Sequence, residues 1–205
     1  MKIDSVAVGF LQTNCYLLCD ETALVCALID PGAESVRIKR MIDDSGCALR
    51  YILLTHGHFD HTYAIDALLR QYPDVPVYIH RADASDSHGN KLKFARLSDH
   101  NQRYYADGDT LALGNLTVTV LETPGHSAGS VCLLCENALF SGDTLFRMSC
   151  GRTDFPDGDA AQMLRSLARL GRLIGEYRIL PGHEAESLLS FERMNNPYMK
   201  QALAL

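Results

Sequence analysis

The segment LLTHGHFDHTYA, residues 53–64, places three histidines and an aspartate within six positions directly behind an apolar run. The whole chain holds only 8 histidines. Imidazole and carboxylate at this density are costly to pack unless a cation binds them. A lone histidine in a turn is ordinarily a surface or capping residue, but four metal-type ligands in six residues have few other uses. His56 and His58 are two apart, so an extended segment points them the same way. Asp60 and His61 are adjacent and diverge from that pair unless the chain turns.

Further candidate ligands follow the same grammar. His126 lies in TPGHSAGS, just after LTVTVLE; Asp143 lies in LFSGDTLF; His183 lies in ILPGHEAE. Each follows an apolar strand through a tight, glycine-containing turn, and His56 follows its own strand directly. Four strand ends thus present histidine or aspartate from loops, where sites in sheet proteins gather. Five histidines and two aspartates make seven candidate ligands, too many for one tetrahedral zinc ion. They suit two. The spacing gives His56, His58 and His126 to one ion and Asp60, His61 and His183 to the other. Asp143 bridges, because a carboxylate can offer one oxygen to each. Histidine and carboxylate ligands accept zinc, iron or manganese, so the metal itself stays open. His80, His88 and His100 lack the glycine-flanked turn and read as structural or exposed.

The remaining segments say what scaffold holds these loops. KIDSVAV, NCYLLCD and ALVCALID read as an antiparallel meander, and AESVRIKRMIDDSG as a helix ended by Gly46. LRYILL reads as a buried strand, HTYAIDALLRQY as a helix and VPVYIH as a strand. The polar stretch from Arg81 to Thr110 reads as a short helix and a long loop. Hairpins turn at Gly114-Asn115 and Glu136-Asn137. DGDAAQMLRSLARL is an amphipathic helix, YRILPGH a last strand and EAESLLSFERM a last helix. Strands grouped with helices, twice over, predict two packed sheets with helices outside: a four-layer αββα sandwich of the α/β class, spanning residues 1–205 as one domain. The 7 cysteines include a C-x-x-C at Cys132 and Cys135, but on a strand these face opposite sides, so all seven read as reduced, buried small hydrophobes. A net charge of -6 speaks against a broad nucleic-acid surface. No signal peptide and no membrane-length apolar stretch is seen, which suggests a cytoplasmic protein. Oligomeric state is left open.

THGHFDH, TPGHSAGS, SGDTLF and PGHE together resemble the metallo-β-lactamase superfamily, most closely the glyoxalase II-like (hydroxyacylglutathione hydrolase-like) single-domain hydrolases. NCYLL, ALIDPG, GDTLFRMSCGRTDFPDGD and SFERMNNPYM extend the resemblance over nearly the whole chain. It implies the αββα sandwich, a binuclear zinc centre, and a supporting role for Asp30 behind the ligating histidines. True β-lactamases of this fold generally carry cysteine where Asp143 stands. Flavodiiron reductases usually carry glutamate where His58 stands, and the nucleases bring extra domains and a basic surface. Two-domain glyoxalase II adds a helical C-terminal domain that contacts glutathione, whereas this chain ends 22 residues after His183. That enzyme also has a lysine, with a tyrosine two residues on, where Arg152 and Asp154 stand. Arg152 is therefore a candidate substrate contact, or the pair braces the loop.

The expected chemistry is metal-assisted hydrolysis of a small-molecule thioester such as S-lactoylglutathione. A hydroxide bridging two zinc ions attacks the carbonyl, Asp60 orients it, and a thiolate of pKa about 8.5 departs without a strong acid. One alternative is a persulfide dioxygenase with a single iron held by His56, His126 and Asp143. Another is a non-catalytic metal-binding relative.

Overall fold

The fold is described from a computed structural model covering residues 1–84 and 101–205. Its first sheet takes β1 (Lys2–Val8), β2 (Thr13–Asp20), β3 (Val25–Ile29), β4 (Ala48–Leu53), β5 (Val77–His80) and β6 (Gln102–Tyr105) in that order. The first three form the expected antiparallel meander, and β3 to β6 run parallel. The second sheet is built from β7 (Thr110–Leu113), β8 (Leu116–Glu122), β9 (Val131–Cys135), β10 (Ala138–Gly142), β13 (Arg178–Pro181) and β14 (Ser187–Leu188). Its order is β14-β13-β10-β9-β8-β7, with β10 and β13 parallel. A two-stranded hairpin, β11 (Leu145–Phe146) and β12 (Ser149–Cys150), stands apart.

Side-chain alternation along each strand divides the interior into three apolar cores. On β2, Cys15, Leu17 and Cys19 face outward to α1 (Ser35–Ser45) and α3 (Ile65–Leu69), where Ile38, Ile42, Ile65 and Leu68 close over them. Tyr16 and Leu18 face the opposite way, meeting Val118, Val120, Leu133 and Phe140 of the second sheet. The far face of that sheet, with Cys132, Leu139 and Ile179, is covered by α4 (Ala160–Gly171), α5 (Leu189–Asn195) and α6 (Pro197–Leu203). Three cores between four layers is the αββα sandwich. The two cysteines of the C-x-x-C fall in different cores, and all seven cysteines are free.

Several elements depart from the sequence expectation. The helix expected over residues 61–72 is broken into α2 (Phe59–Thr62) and α3. The Ala64 N–H, which a continuous helix would direct to the Asp60 carbonyl, donates instead to the Pro31 carbonyl at 3.0 Å. Gly32 lies against that Asp60 carbonyl so closely that a Cβ there would sit 1.7 Å from the oxygen. The DPG loop thus intrudes on the helix and ends its first turn. In the polar stretch after Arg81, the structure shows a 3-10 turn at Arg81–Asp83 and then β6, a half-exposed edge strand. Edge position explains its polar pattern. The short helix and long loop expected there fall largely on residues 85–100, outside the described residues, as do His88 and His100. The last helix begins only at Leu189, because Ser187 and Leu188 first pair with β13. A further helix, α6, follows, with Pro197 in its first turn and the Asn196 side chain accepting from the N–H groups of Tyr198 and Met199.

Candidate metal centre

β4, β8, β10 and β13 end at the same edge of the sandwich, and the loops that follow carry the seven candidate ligands. His56, His58 and His61 are buried, as is His126, while Asp60, Asp143 and His183 are partly exposed at the cavity floor. The structure gathers His56, His58 and His126 into one group and Asp60, His61 and His183 into another, each with its ligand atoms within 4.8 Å of one another. In the first, His58 Nδ1 lies 2.8 Å from His126 Nε2. In the second, His61 Nε2 lies 3.3 Å from His183 Nε2, and Asp60 Oδ2 is 3.2 Å from the same His183 nitrogen. Asp143 sits between them. Its Oδ1 is 3.4 Å from His61 Nε2 and its Oδ2 is 3.4 Å from His126 Nε2.

The outward nitrogens are held from behind. His126 Nδ1 donates to the Arg152 carbonyl at 2.8 Å and His183 Nδ1 to the Leu11 carbonyl at 3.1 Å. Asp30 Oδ2 receives His61 Nδ1 at 3.0 Å and the Thr55 hydroxyl at 2.6 Å, and that hydroxyl lies 3.1 Å from His56 Nδ1. Such partners fix tautomer and ring orientation, leaving the other nitrogen's lone pair aimed inward. Two inward atoms are orphaned: His56 Nε2 and Asp143 Oδ1 are buried and make no hydrogen bond. A buried unsatisfied polar group costs on the order of 1–3 kcal/mol. Imidazole nitrogens and carboxylate oxygens converging on one place, two of them without any partner, are a set that a divalent cation satisfies.

The charges of the metal-free site point the same way. Burial, reinforced by the neighbouring imidazoles, pushes His56 well below the ordinary histidine range and His58 down to about 4, so both are neutral at pH 7. Burial also opposes charge on His61, but Asp143 and Asp30 outweigh it and raise that group. His183 is raised against its own burial by Asp60 and Asp143. Asp143 is held well below the usual carboxylate range by His61 and its neighbours despite burial. Asp60 is likewise lowered by His183 and His61 in spite of its burial. His56 and His58 are thus lone-pair donors, whereas the group of Asp60, His61 and His183 favours protons in the place of a cation.

Of the other expected residues, His80 lies outside the cluster, its Nε2 3.1 Å from Glu122 and its Nδ1 accepting from the Ala82 N–H. The Arg152 guanidinium is held by Asp154 through two bonds of 2.6 and 2.7 Å and stacks on Phe155 at 4.4 Å. Its backbone, not its charge, reaches the cluster.

Three residues that ligand spacing does not single out organise the loops. Buried Asp83 accepts from Gly57 N–H, Gly129 N–H and the Ser127 hydroxyl at 2.7–2.9 Å, tying the HGHFDH loop to the TPGHSAGS loop. Asn14 Nδ2 donates to the Pro181 and Glu184 carbonyls, and the Tyr16 hydroxyl to Pro181, clamping the PGH turn to the first sheet. NCYLL carries the signal for Asn14 and Tyr16. Asp83 stands in an unremarkable stretch, and only the fold brings it there.

Above the cluster opens a cavity of about 420 Å³ lined by Leu11, Phe59, Phe146, Arg152, Phe155 and Glu184 around the ligands.

Residues 8–183 match the model of the metallo-beta-lactamase superfamily. The chain is 34% identical to the probable metallo-hydrolase YqgX of Bacillus subtilis, over 97% of this chain and 98% of that protein. It is 30% identical to the hydroxyacylglutathione hydrolase GloC of Haemophilus influenzae, again over 97% and 98%. Among solved structures it resembles the BLEG-1 B3 metallo-beta-lactamase, at TM-score 0.83 and 31% identity over 97% of this chain and 99% of that one. It also resembles TTHA1623 in a di-iron-bound form, at TM-score 0.82 and 36% identity over 95% and 99%. The chain belongs to the metallo-beta-lactamase superfamily, whose members bind divalent metals.

Proposed function

We propose that this protein is a binuclear metallohydrolase of thioesters, with His56, His58 and His126 as one ligand set, Asp60, His61 and His183 as the other, and Asp143 shared. One observation carries the reading: two ligand groups meet on the two oxygens of a single carboxylate, and His56 Nε2 and that carboxylate's Oδ1 are buried without a hydrogen bond. Similarity to the hydroxyacylglutathione hydrolase GloC supports the thioester class. The same donor set is compatible with zinc, iron or manganese, and a di-iron relative exists.

A divalent pair held by these residues would supply a water acidic enough to ionise near neutral pH and Lewis acidity toward a carbonyl. The chain's own residues do the rest. Asp60 lines the cavity and stays ionised, so it accepts a hydrogen bond from the attacking water and orients it. Thr13 Oγ donates to Asp60 Oδ2 at 3.2 Å and restricts that carboxylate. Asp30 stands behind His61 and, through Thr55, behind His56. Phe59, Phe146 and Phe155 wall the cavity with apolar surface, which lowers the local dielectric and strengthens charge interactions beside it. The departing thiol, with pKa about 8.5, needs no strong proton donor.

The test is metal-reconstituted protein assayed for S-lactoylglutathione hydrolysis, with the His58→Ala variant alongside. Turnover that requires metal and falls at least about 100-fold in the variant supports the reading. Oxygen consumption with glutathione persulfide and a single iron per chain overturns it in favour of the dioxygenase.

A further inference from the structure

Beside the metal-side cavity lies a second one of about 210 Å³, walled by Val8, Phe10, Leu11, Ala33, Phe59 and Tyr63. The two share Leu11, Phe59 and Asp60, so the second cavity adjoins the metal-side one across a common wall. That wall is apolar and left uncovered: Phe10 is 82% and Tyr63 76% exposed, and Phe10 stacks on Phe59 with ring centroids 6.4 Å apart. Clustered exposed aromatics of this kind mark a contact surface rather than chance exposure. The wall is also fixed in place. Gln12 Nε2 donates to the Gly9 carbonyl at 2.7 Å, Gly9 N–H donates to Glu34 at 3.2 Å, and the Leu11 carbonyl receives His183 Nδ1. The tip carrying Phe10 and Leu11 is therefore tied to the metal centre itself.

Charge around the two cavities argues in the same direction. Glutathione brings two carboxylates, which need cations. Among the described residues lining either cavity the one permanent cation is Arg152, and Asp154 engages it through two bonds. Glu184, which is not among the proposed ligands, adds negative charge to the metal-side wall.

We infer that the second cavity is a subsite for an apolar arm of the substrate, and that the enzyme acts on uncharged hydrophobic thioesters in preference to glutathione thioesters. This rests on the thioester reading above. The shared chemistry is a hydrocarbon substituent, carried on either the acyl or the thiol side of the scissile bond.

The experiment uses the metal-loaded enzyme and three substrate series: acetyl, butanoyl and hexanoyl thioesters of N-acetylcysteamine, the same acyl groups on glutathione, and acetyl thioesters of neutral thiols of growing length. Along the series whose arm enters the subsite, kcat/KM rises roughly fourfold per methylene until the cavity is filled. The acyl and thiol series tell which arm enters. In Phe10→Ala and Tyr63→Ser the rise flattens, and N-acetylcysteamine esters outrun their glutathione counterparts in the unmodified enzyme. A flat dependence on length, or a glutathione preference, overturns the subsite while leaving the thioester reading intact. A change in sedimentation of Phe10→Ala with no change in length dependence overturns it in favour of a second copy as the occupant. If no thioester is hydrolysed, the thioester reading fails, and the subsite is then judged by binding alone. The chain has no tryptophan, so Tyr63→Trp gives a clean reporter for S-hexyl-N-acetylcysteamine, a thioether that cannot be hydrolysed. A saturable fluorescence change supports the subsite, and no change overturns it.

Discussion

Asp143 is held in place by the crowding of its neighbours. A Cβ on Gly182 would lie 2.3 Å from Asp143 Oδ1 and 2.7 Å from His61 Cε1. Gly182→Ala therefore displaces the shared carboxylate and costs at least one bound metal per chain, as elemental analysis would show, while the melting temperature of the metal-free protein changes far less. Asp83 acts differently, because it satisfies two backbone N–H groups and a hydroxyl. Asp83→Ala leaves the Gly57 and Gly129 N–H groups without an acceptor, while the Ser127 hydroxyl keeps Ser130 Oγ at 2.7 Å, and costs about 1–3 kcal/mol for each N–H in urea unfolding. Asp83→Asn, which keeps an acceptor oxygen, costs less.

Protonation at the same scale gives a pH prediction. His61 and His183 have raised pKa values in the metal-free protein. Their pairing with carboxylates stabilises that state fully below the ordinary histidine value and is lost as pH rises through the folded values. A metal must displace those protons, so affinity at the Asp60, His61, His183 group rises with pH across the neutral range and binding releases protons. His56 and His58 are already neutral, so they contribute no proton release there. Calorimetry in buffers of different ionisation enthalpy reads the difference: proton release from one binding event and much less from the other.

At the scale of elements, ligand spacing in the sequence was informative because His126, Asp143 and His183 each follow a strand through a glycine turn and His56 follows its strand directly. Strand ends are set by hydrophobic pattern, and pattern is local. What spacing does not reveal is contact between segments distant in the chain. The break between α2 and α3 arises from Pro31 and Gly32, roughly thirty residues earlier. The Asp83 bridge and the edge strand β6 likewise depend on neighbours that the local pattern does not name. Arg152 shows the same limit: its charge made it a candidate substrate contact or a loop brace, but no spacing named its carbonyl as the partner of His126 Nδ1. The clamp from β2 onto the PGH turn is testable at this scale. Asn14→Ala removes two hydrogen bonds to the turn carrying His183, and removing support of this kind typically weakens metal affinity about 10–100-fold, which competition with a chelator would measure.

For the whole molecule, the four-layer sandwich was legible because strands group with helices twice over along the chain; the three separate cores emerge only in the structure. The core between the sheets carries most of the burden of holding four strand ends at one edge. Phe140 is buried there against Tyr16, with ring centroids 5.4 Å apart. Phe140→Ala is expected to cost about 3–5 kcal/mol in denaturant unfolding. It should also loosen the metal site, since β10 ends at Gly142 and Asp143 follows directly. No helix among the described residues is long and apolar enough to cross a membrane.

The central claim is that seven side chains hold two cations through one shared carboxylate. Titration of metal-free protein with zinc or iron, followed by calorimetry, tests it most directly. The account predicts saturation at two equivalents per chain, with Asp143→Asn weakening both binding events and His183→Ala only one. Saturation at a single equivalent, unchanged by His183→Ala, would contradict it.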